Sequence, residues 1–171
     1  MSKLKLFETS RSILKKDPAA KSLLEVVLLY PGVHALAFYR VAHLFYKVKL
    51  MFIARLLSQV ARFLTGIEIH PGAQIGKRLF IDHGMGLVIG ETTIIGDDCT
   101  LYHGVTLGGK SSKDTKRHPT LKNNVVVGAN AQIIGPVVLH DHCIVGANAL
   151  VTKDVVAHDI VGGVPAKSIK R

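Results

Sequence analysis

The sequence predicts a parallel β-solenoid of six-residue units with a helical cap at its N-terminal end. Three observations predict it. After Gly66 an aliphatic residue returns every six positions. Before Gly66 apolar residues recur at helical spacing. The composition is 48% hydrophobic but only 6% aromatic, without Trp, so the core must be built from Ile, Val, Leu and Ala.

The six-residue period is read from three series. Ile69, Ile75 and Ile81 form the first, and Ile89, Ile95, Leu101 and Leu107 the second. Val127, Ile133, Leu139, Val145 and Val151 form the third. Four residues after each member of the third series stands Ala131, Val137, Cys143, Ala149 or Val155, all small or medium and apolar. One such unit is a short strand plus a turn and cannot bury its aliphatic residue alone; stacked coils bury a continuous column. Cys99 and Cys143 fall on these filler positions and read as core. The series breaks twice. Ile81 to Ile89 is too long by two residues, and between Leu107 and Val127 a loop over about 110–121 bulges from the coil. Insertions at solenoid turns carry function, and these two contain His83 and His118.

The helical part spans residues 10–65 within an N-terminal region of 1–66; the solenoid takes 67–171. Asp17-Pro18 predicts a helix start, with Asp as cap and Pro at the first helical position. Leu23, Leu24, Val27 and Leu28 continue that helix, and Tyr30-Pro31-Gly32 ends it. A second helix is expected over about 33–48 and a third over about 50–65, closed by Gly66.

The chain of 171 residues carries a formal charge of +10, with denser basic stretches near the N-terminus and in the loop at Lys110, Lys113, Lys116, Arg117 and Lys122. Neither stretch interleaves with aromatics as a base-stacking surface would, so nucleic acid is not the expected partner; a polyphosphate ligand fits the charge. Two cysteines without CxxC spacing give no metal or disulfide framework. No signal peptide pattern or membrane-length apolar run is visible, so a cytoplasmic, membrane-free setting is expected.

Several motifs together resemble the bacterial serine acetyltransferases of the hexapeptide acyltransferase superfamily. They are Asp17-Pro18-Ala19, Ile69-His70-Pro71-Gly72-Ala73, Ile81-Asp82-His83-Gly84, Ile89-Gly90-Glu91-Thr92, Gly104-Val105-Thr106-Leu107-Gly108-Gly109, Arg117-His118-Pro119 and Gly163-Val164-Pro165-Ala166-Lys167. The resemblance implies a left-handed β-helix, assembly as a homotrimer, acetyl-CoA as co-substrate, L-serine as acceptor, and no metal. Longer family members have further N-terminal helices that pair trimers and a C-terminal tail that docks cysteine synthase. Here little precedes Asp17 and the sequence ends at Arg171, so neither a hexamer nor that complex is expected.

Acyl transfer to a hydroxyl needs a base, because the alcohol is a poor nucleophile until its proton is leaving. Histidine, with an ordinary pKa of about 6.5, suits the task, and a carboxylate steadies its imidazolium. His83, beside Asp82 in the irregular coil, is the candidate base. The resemblance assigns Glu68 as its partner carboxylate, where many members have Asp. It assigns Asp17 and Asp82 to the substrate amino acid, Arg117 to its carboxylate, and His118 as a second active-site histidine. Asp17 also suits an ordinary cap, and Arg117 and His118 a solvated loop. For the coenzyme the resemblance points to Gly109, Ala129 and Ala147, positions where repeat geometry alone also favours small residues. Lys153, Lys167 and Lys170 are candidates for its phosphates. His103, near the Gly-Val-Thr motif, could line the pocket.

Two other readings share the scaffold. Sugar and antibiotic acetyltransferases lack this pairing of Asp-His-Gly with Arg-His-Pro. A carbonic anhydrase would need two histidines five residues apart, and none follows His118 until His140.

Overall fold

The protein is described by a computed structural model covering residues 2–112 and 115–170, so Lys113 of the basic loop and the terminal Arg171 lie outside the described residues. Four helices precede the solenoid: α1 (Ser2–Lys16), α2 (Leu23–Leu29), α3 (Pro31–Lys47) and α4 (Met51–Thr65).

The helix boundaries correct the sequence expectation at three points. α1 is a fourth helix beyond the three expected, and it begins at Ser2, eight residues before the expected start of the helical part. Asp17-Pro18 does not start a helix. α2 begins six residues later, where the Ser22 hydroxyl accepts the amide of Glu25 at 3.1 Å. Asp17 instead folds a turn, its Oδ1 accepting the Ala19 amide at 2.8 Å. Ser22 wins because Glu25 sits three residues on, and its carboxylate accepts the Lys21 amide, as in a capping box. Pro31 does not merely end α2; it opens α3 as the first helical residue. The residue before a proline is driven out of the helical region, and Tyr30 accordingly has φ −86° and ψ 111°. α4 ends as expected, on Gly66 at φ 71°.

The remainder winds into five coils of a left-handed parallel β-helix with three flat faces. The first coil is β1 (Glu68–Ile69), β2 (Gln74–Ile75) and β3 (Phe80–Asp82). The second is β4 (Val88–Ile89), β5 (Ile94–Ile95) and β6 (Thr100–Tyr102). The third is β7 (Thr106–Gly108), β8 (Thr120–Leu121) and β9 (Val126–Val127). The fourth is β10 (Gln132–Ile134), β11 (Val138–Leu139) and β12 (Ile144–Val145). The fifth holds β13 (Leu150–Val151) and β14 (Ile160–Gly162), with β15 (Lys167–Ser168) turning back antiparallel to β14.

Like strands stack on like. Sheet A is β1-β4-β7-β10-β13, sheet B is β2-β5-β8-β11, and sheet C runs β3-β6-β9-β12-β14-β15. The register puts the aliphatic series in columns: Ile69, Ile89, Leu107, Ile133 and Val151 in sheet A, for example, all buried. Leu121 belongs to the sheet B column, aligned with Ile95 and Leu139, so the coil resumes before the predicted end of the loop. Cys99 and Cys143 are free, and burial pushes their thiols up to about 11 and about 12, which suits core filling rather than reactivity.

Helices α3 and α4 form a hairpin against the first coil. Tyr39 donates its hydroxyl to the carbonyl of Ala73 at 2.6 Å, and Ser58 donates to that of Ile69 at 2.7 Å. Ile13, Val26, Val33 and Phe80 form a second small core that ties α1, α2 and α3 to β3.

Candidate active site

Two clusters of polar residues flank sheet A at opposite corners of the prism. The first lies where sheet C turns into sheet A. Asp82 ends β3, and His83 follows at φ 59° in the turn lengthened by two residues. The His83 side chain is 76% exposed, and its Nε2 stands 3.8 Å from Asp82 Oδ1. One coil on, the His103 ring meets it edge to face at 6.0 Å, with a buried Nδ1 that has no partner. Asp17 reaches the same corner from the helical cap. Its Oδ2 accepts the Tyr30 hydroxyl at 2.6 Å. That bond, and then the Ala19 amide, holds the Asp17 carboxyl below its usual range, with a smaller contribution from His83. The same bond pushes Tyr30 up to about 12.

The second cluster lies where sheet A turns into sheet B. The loop returns to the coil here, and its last residues are locked down. The Thr92 hydroxyl accepts the amides of Arg117 and His118, both at 3.1 Å, and sits 2.9 Å from His118 Nδ1. The Thr92 amide donates to that same Nδ1 at 3.2 Å. A nitrogen that accepts an N–H carries no proton, so the neutral ring is protonated on Nε2. His118 is only 8% exposed. Burial, and then the charges of Arg117 and Lys116, lower its pKa, which keeps it neutral near pH 7. Lys116 donates to the carbonyls of Thr92 and Pro119 at 2.6 and 3.0 Å. Arg117 forms an ion pair with Glu91 at 2.6 Å, and Tyr46 on α3 donates to the other Glu91 oxygen at 3.2 Å.

Gly90 makes the second corner possible. A β-carbon there would lie 2.0 Å from His118 Cδ2 and 2.2 Å from Nε2. A side chain at Gly90 and a histidine in this pose exclude one another.

The remaining candidates divide between the corners. Ala129 follows β9 and Ala147 follows β12, so both continue the His83 edge on later coils, with the Asn148 amide bonded to the Ala129 carbonyl at 2.8 Å. Gly109 follows β7 on the His118 edge, where a β-carbon would stand 3.2 Å from His118 Nε2. Lys153 follows β13 on that same edge, and Lys167 lies exposed in β15. Glu68 lies on β1, with its carboxylate 3.2 Å from Arg62 and 4.0 Å from Arg55, both on α4. Among the described residues, the carboxylate within 4 Å of His83 is that of Asp82, not Glu68.

The family described as "Bacterial transferase hexapeptide (six repeats)" matches residues 118–153. The serine acetyltransferase of Helicobacter pylori (strain ATCC 700392 / 26695) is 64% identical over 129 residues, 75% of this chain and 75% of that protein. The chain belongs to the serine acetyltransferase family. Among solved structures, the serine acetyltransferase of Brucella abortus strain S19 in complex with coenzyme A superposes with a TM-score of 0.95 at 34% identity, over 98% of this chain and 67% of that one. That of Neisseria gonorrhoeae in complex with serine gives a TM-score of 0.93 at 34% identity, over 96% and 68%.

Within this serine acetyltransferase fold, several site residues were not singled out by sequence reasoning. Tyr30 reads in sequence only as a helix terminator and Glu91-Thr92 only as a motif, and Tyr46 carries no signal at all. His70 is the least expected. Its Nδ1 accepts the Gly72 amide at 3.0 Å, and burial, with Arg55, lowers its pKa at the His118 corner. Position in the period was the available signal. His70 and Glu91-Thr92 follow β1 and β4 as the loop follows β7, so all three stack at one corner.

Proposed function

We propose that the protein transfers the acetyl group of acetyl-CoA to the hydroxyl of L-serine, at a site completed between two copies in a homotrimer. The observation that carries this is the division of the site residues between two corners of sheet A. Asp17, Asp82 and His83 stand at one corner, Arg117 and His118 at the other. A serine held by its ammonium and by its carboxylate needs both sets, and a neighbouring copy supplies the second. The H. pylori protein is named a serine acetyltransferase, and the solved relatives carry coenzyme A or serine by their descriptions.

In this reading His83 removes the serine hydroxyl proton as the oxygen attacks the thioester carbonyl. The new C–O bond forms, the C–S bond breaks, and the imidazolium returns the proton to the departing thiolate of CoA. Glu68 steadies the imidazolium, which requires its release from Arg62; Asp82, which the resemblance assigns to the substrate amino acid, stands 3.8 Å from His83 and can steady the same charge. Asp17 takes the serine ammonium. Arg117 pairs with its carboxylate in two parallel hydrogen bonds. The neutral His118 offers its Nε2–H to the bound substrate. Gly109, Ala129 and Ala147 leave room for the pantetheine arm, and Lys153 and Lys167 meet CoA phosphates.

Trimer formation is supported by the exposed apolar face of α4, whose C-terminal end meets the His83 corner. Phe52 and Phe63 on α4 are 81% and 88% exposed, and Leu56 and Leu64 are 52% and 62% exposed. Met85, in the same turn as His83, is also exposed and packs on Gly66 at the end of α4. An apolar patch of this extent marks an interface.

A thiol-release assay tests the activity. CoA should be freed from acetyl-CoA only when L-serine is present. Faster turnover of threonine, a sugar or chloramphenicol than of serine would contradict the assignment.

A further inference from the structure

Beside the His118 corner, a cavity of about 910 Å³ opens between α3, the start of α4 and the outer side of the first coil, with Tyr46 and Gly72 at the end nearest that corner. Leu36, Leu79, Ile75 and the ring of Tyr39 form an apolar floor, and Met51 closes one side. Arg40, His43, Lys47 and Lys49 also line it, and none of the described lining residues is acidic. The neighbouring carboxylates are engaged elsewhere. Asp97, against Gly76, accepts the Lys77 amide at 2.7 Å and stands 3.6 Å from Arg78. Glu8 acts on Arg40 through space, but its oxygen is bonded to Arg78 at 3.0 Å. Glu91, which touches the Tyr46 hydroxyl, is paired with Arg117.

Arg40 is more buried than the two lysines of this wall. One guanidinium nitrogen, Nη1, is buried without a partner. The other, Nη2, has a long bond of 3.4 Å to the Thr9 hydroxyl. Burial lowers its pKa. His43, also in the lining, donates its Nδ1–H to the Pro71 carbonyl at 2.7 Å. Lys47 and Lys49 stand exposed at the mouth. Guanidinium and ammonium groups on one wall, with aliphatic and aromatic carbon below them, suit a ligand with an anionic head and an apolar body.

We propose that this cavity is a second ligand site that binds a small organic anion, a phosphate or carboxylate group on a compact apolar body. The site is separate from the serine and coenzyme residues, none of which line it. Occupancy sets an anion among the charges of Arg40, Lys47 and Lys49 and covers the apolar floor.

Calorimetric titration of the full chain with phenyl phosphate, in low salt and with CoA and serine saturating, tests it. CoA is present so that its own phosphate contacts are already filled. One equivalent should bind per chain. Arg40→Gln should weaken binding by about tenfold or more, the scale of a lost charge-assisted bond. A Lys47→Ala/Lys49→Ala variant should weaken it by several-fold; both positions are exposed, so this result stands even where Arg40→Gln fails to fold. Inorganic phosphate and phenol should each bind more weakly than phenyl phosphate. No binding, equal affinity for phenol, or unchanged affinity in the lysine variant would overturn the proposal.

Discussion

His83 and His118 flank the same sheet, yet one is 76% exposed and the other 8%. The His118 corner is finished within one chain. Thr92, Lys116, Glu91 and Gly90 fix the ring, its tautomer and the neighbouring arginine through short bonds and one close approach. The His83 corner is unfinished. Its histidine has one carboxylate at 3.8 Å, a second imidazole at 6.0 Å and otherwise solvent. The difference teaches that preorganisation is distributed unevenly. A loop inserted into a solenoid must be fastened to hold any geometry, whereas a turn in the coil is positioned by the repeat and can leave its side chain open to a neighbouring copy.

Variants at the two corners sharpen this contrast. The largest effect is expected from His83→Ala, which should lower kcat by a hundredfold or more while acetyl-CoA binding persists, since only the base is removed. Steady-state kinetics with a separate binding titration checks it; activity within a few-fold of the parent removes His83 from the role. Gly90→Ala should come next. The added carbon must push the His118 ring away, and overpacking of this kind costs about 1–3 kcal/mol. Thermal melting should register that loss, together with a fall in kcat/KM of about tenfold or more. A melting temperature and kcat/KM equal to the parent's would mean that the ring is not held where the structure puts it.

Arg117→Ala should raise the serine KM by roughly tenfold or more, as expected for a charged hydrogen-bonding partner, with little change in the KM for acetyl-CoA. An unchanged serine KM would place the loop outside the substrate site. The smallest effect is expected from Tyr30→Phe. The lost hydroxyl is the main cause of the low Asp17 pKa, so that pKa should rise. Asp17 must be ionised to hold an ammonium, so as pH falls into the carboxylate range the serine KM should begin to climb at a higher pH in the variant than in the parent. An identical pH dependence of the serine KM would separate Tyr30 from substrate binding.

Much of the fold was legible because the period is rigid. Each member of the six-residue series from Ile69 to Val151 marks a column position, buried in every case but the half-buried Ile75, and a two-residue excess at Ile81–Ile89 marks the turn that carries His83. Leu121 was missed as a column member because the insertion before it erased the count. Asp17 misled for a different reason. Asp-Pro is a good helix start by local chemistry, but Ser22 with Glu25 outcompetes it, which leaves the carboxylate free to meet Tyr30. At the site, residue types announced themselves when they sat in irregular segments. The residues that hold them did not: Thr92, Glu91 and Tyr46 act through contacts 25 to 45 positions apart in sequence, and no local pattern encodes those. The pairing of Glu68 with Arg62 spans only six positions, but it depends on how α4 packs on β1 after the Gly66 turn, which no residue pattern encodes.

The central claim is that the two corners meet only between copies. Co-expression of His83→Ala with His118→Ala, each of low activity alone, tests it directly. Random co-assembly pairs an intact His83 from one chain with an intact His118 from its neighbour at roughly a quarter of the sites. Activity of the purified mixed oligomer should therefore recover to about that fraction of the parent's. Recovery no greater than the average of the two separate variants would contradict the account, because it would place both histidines of each site in a single chain.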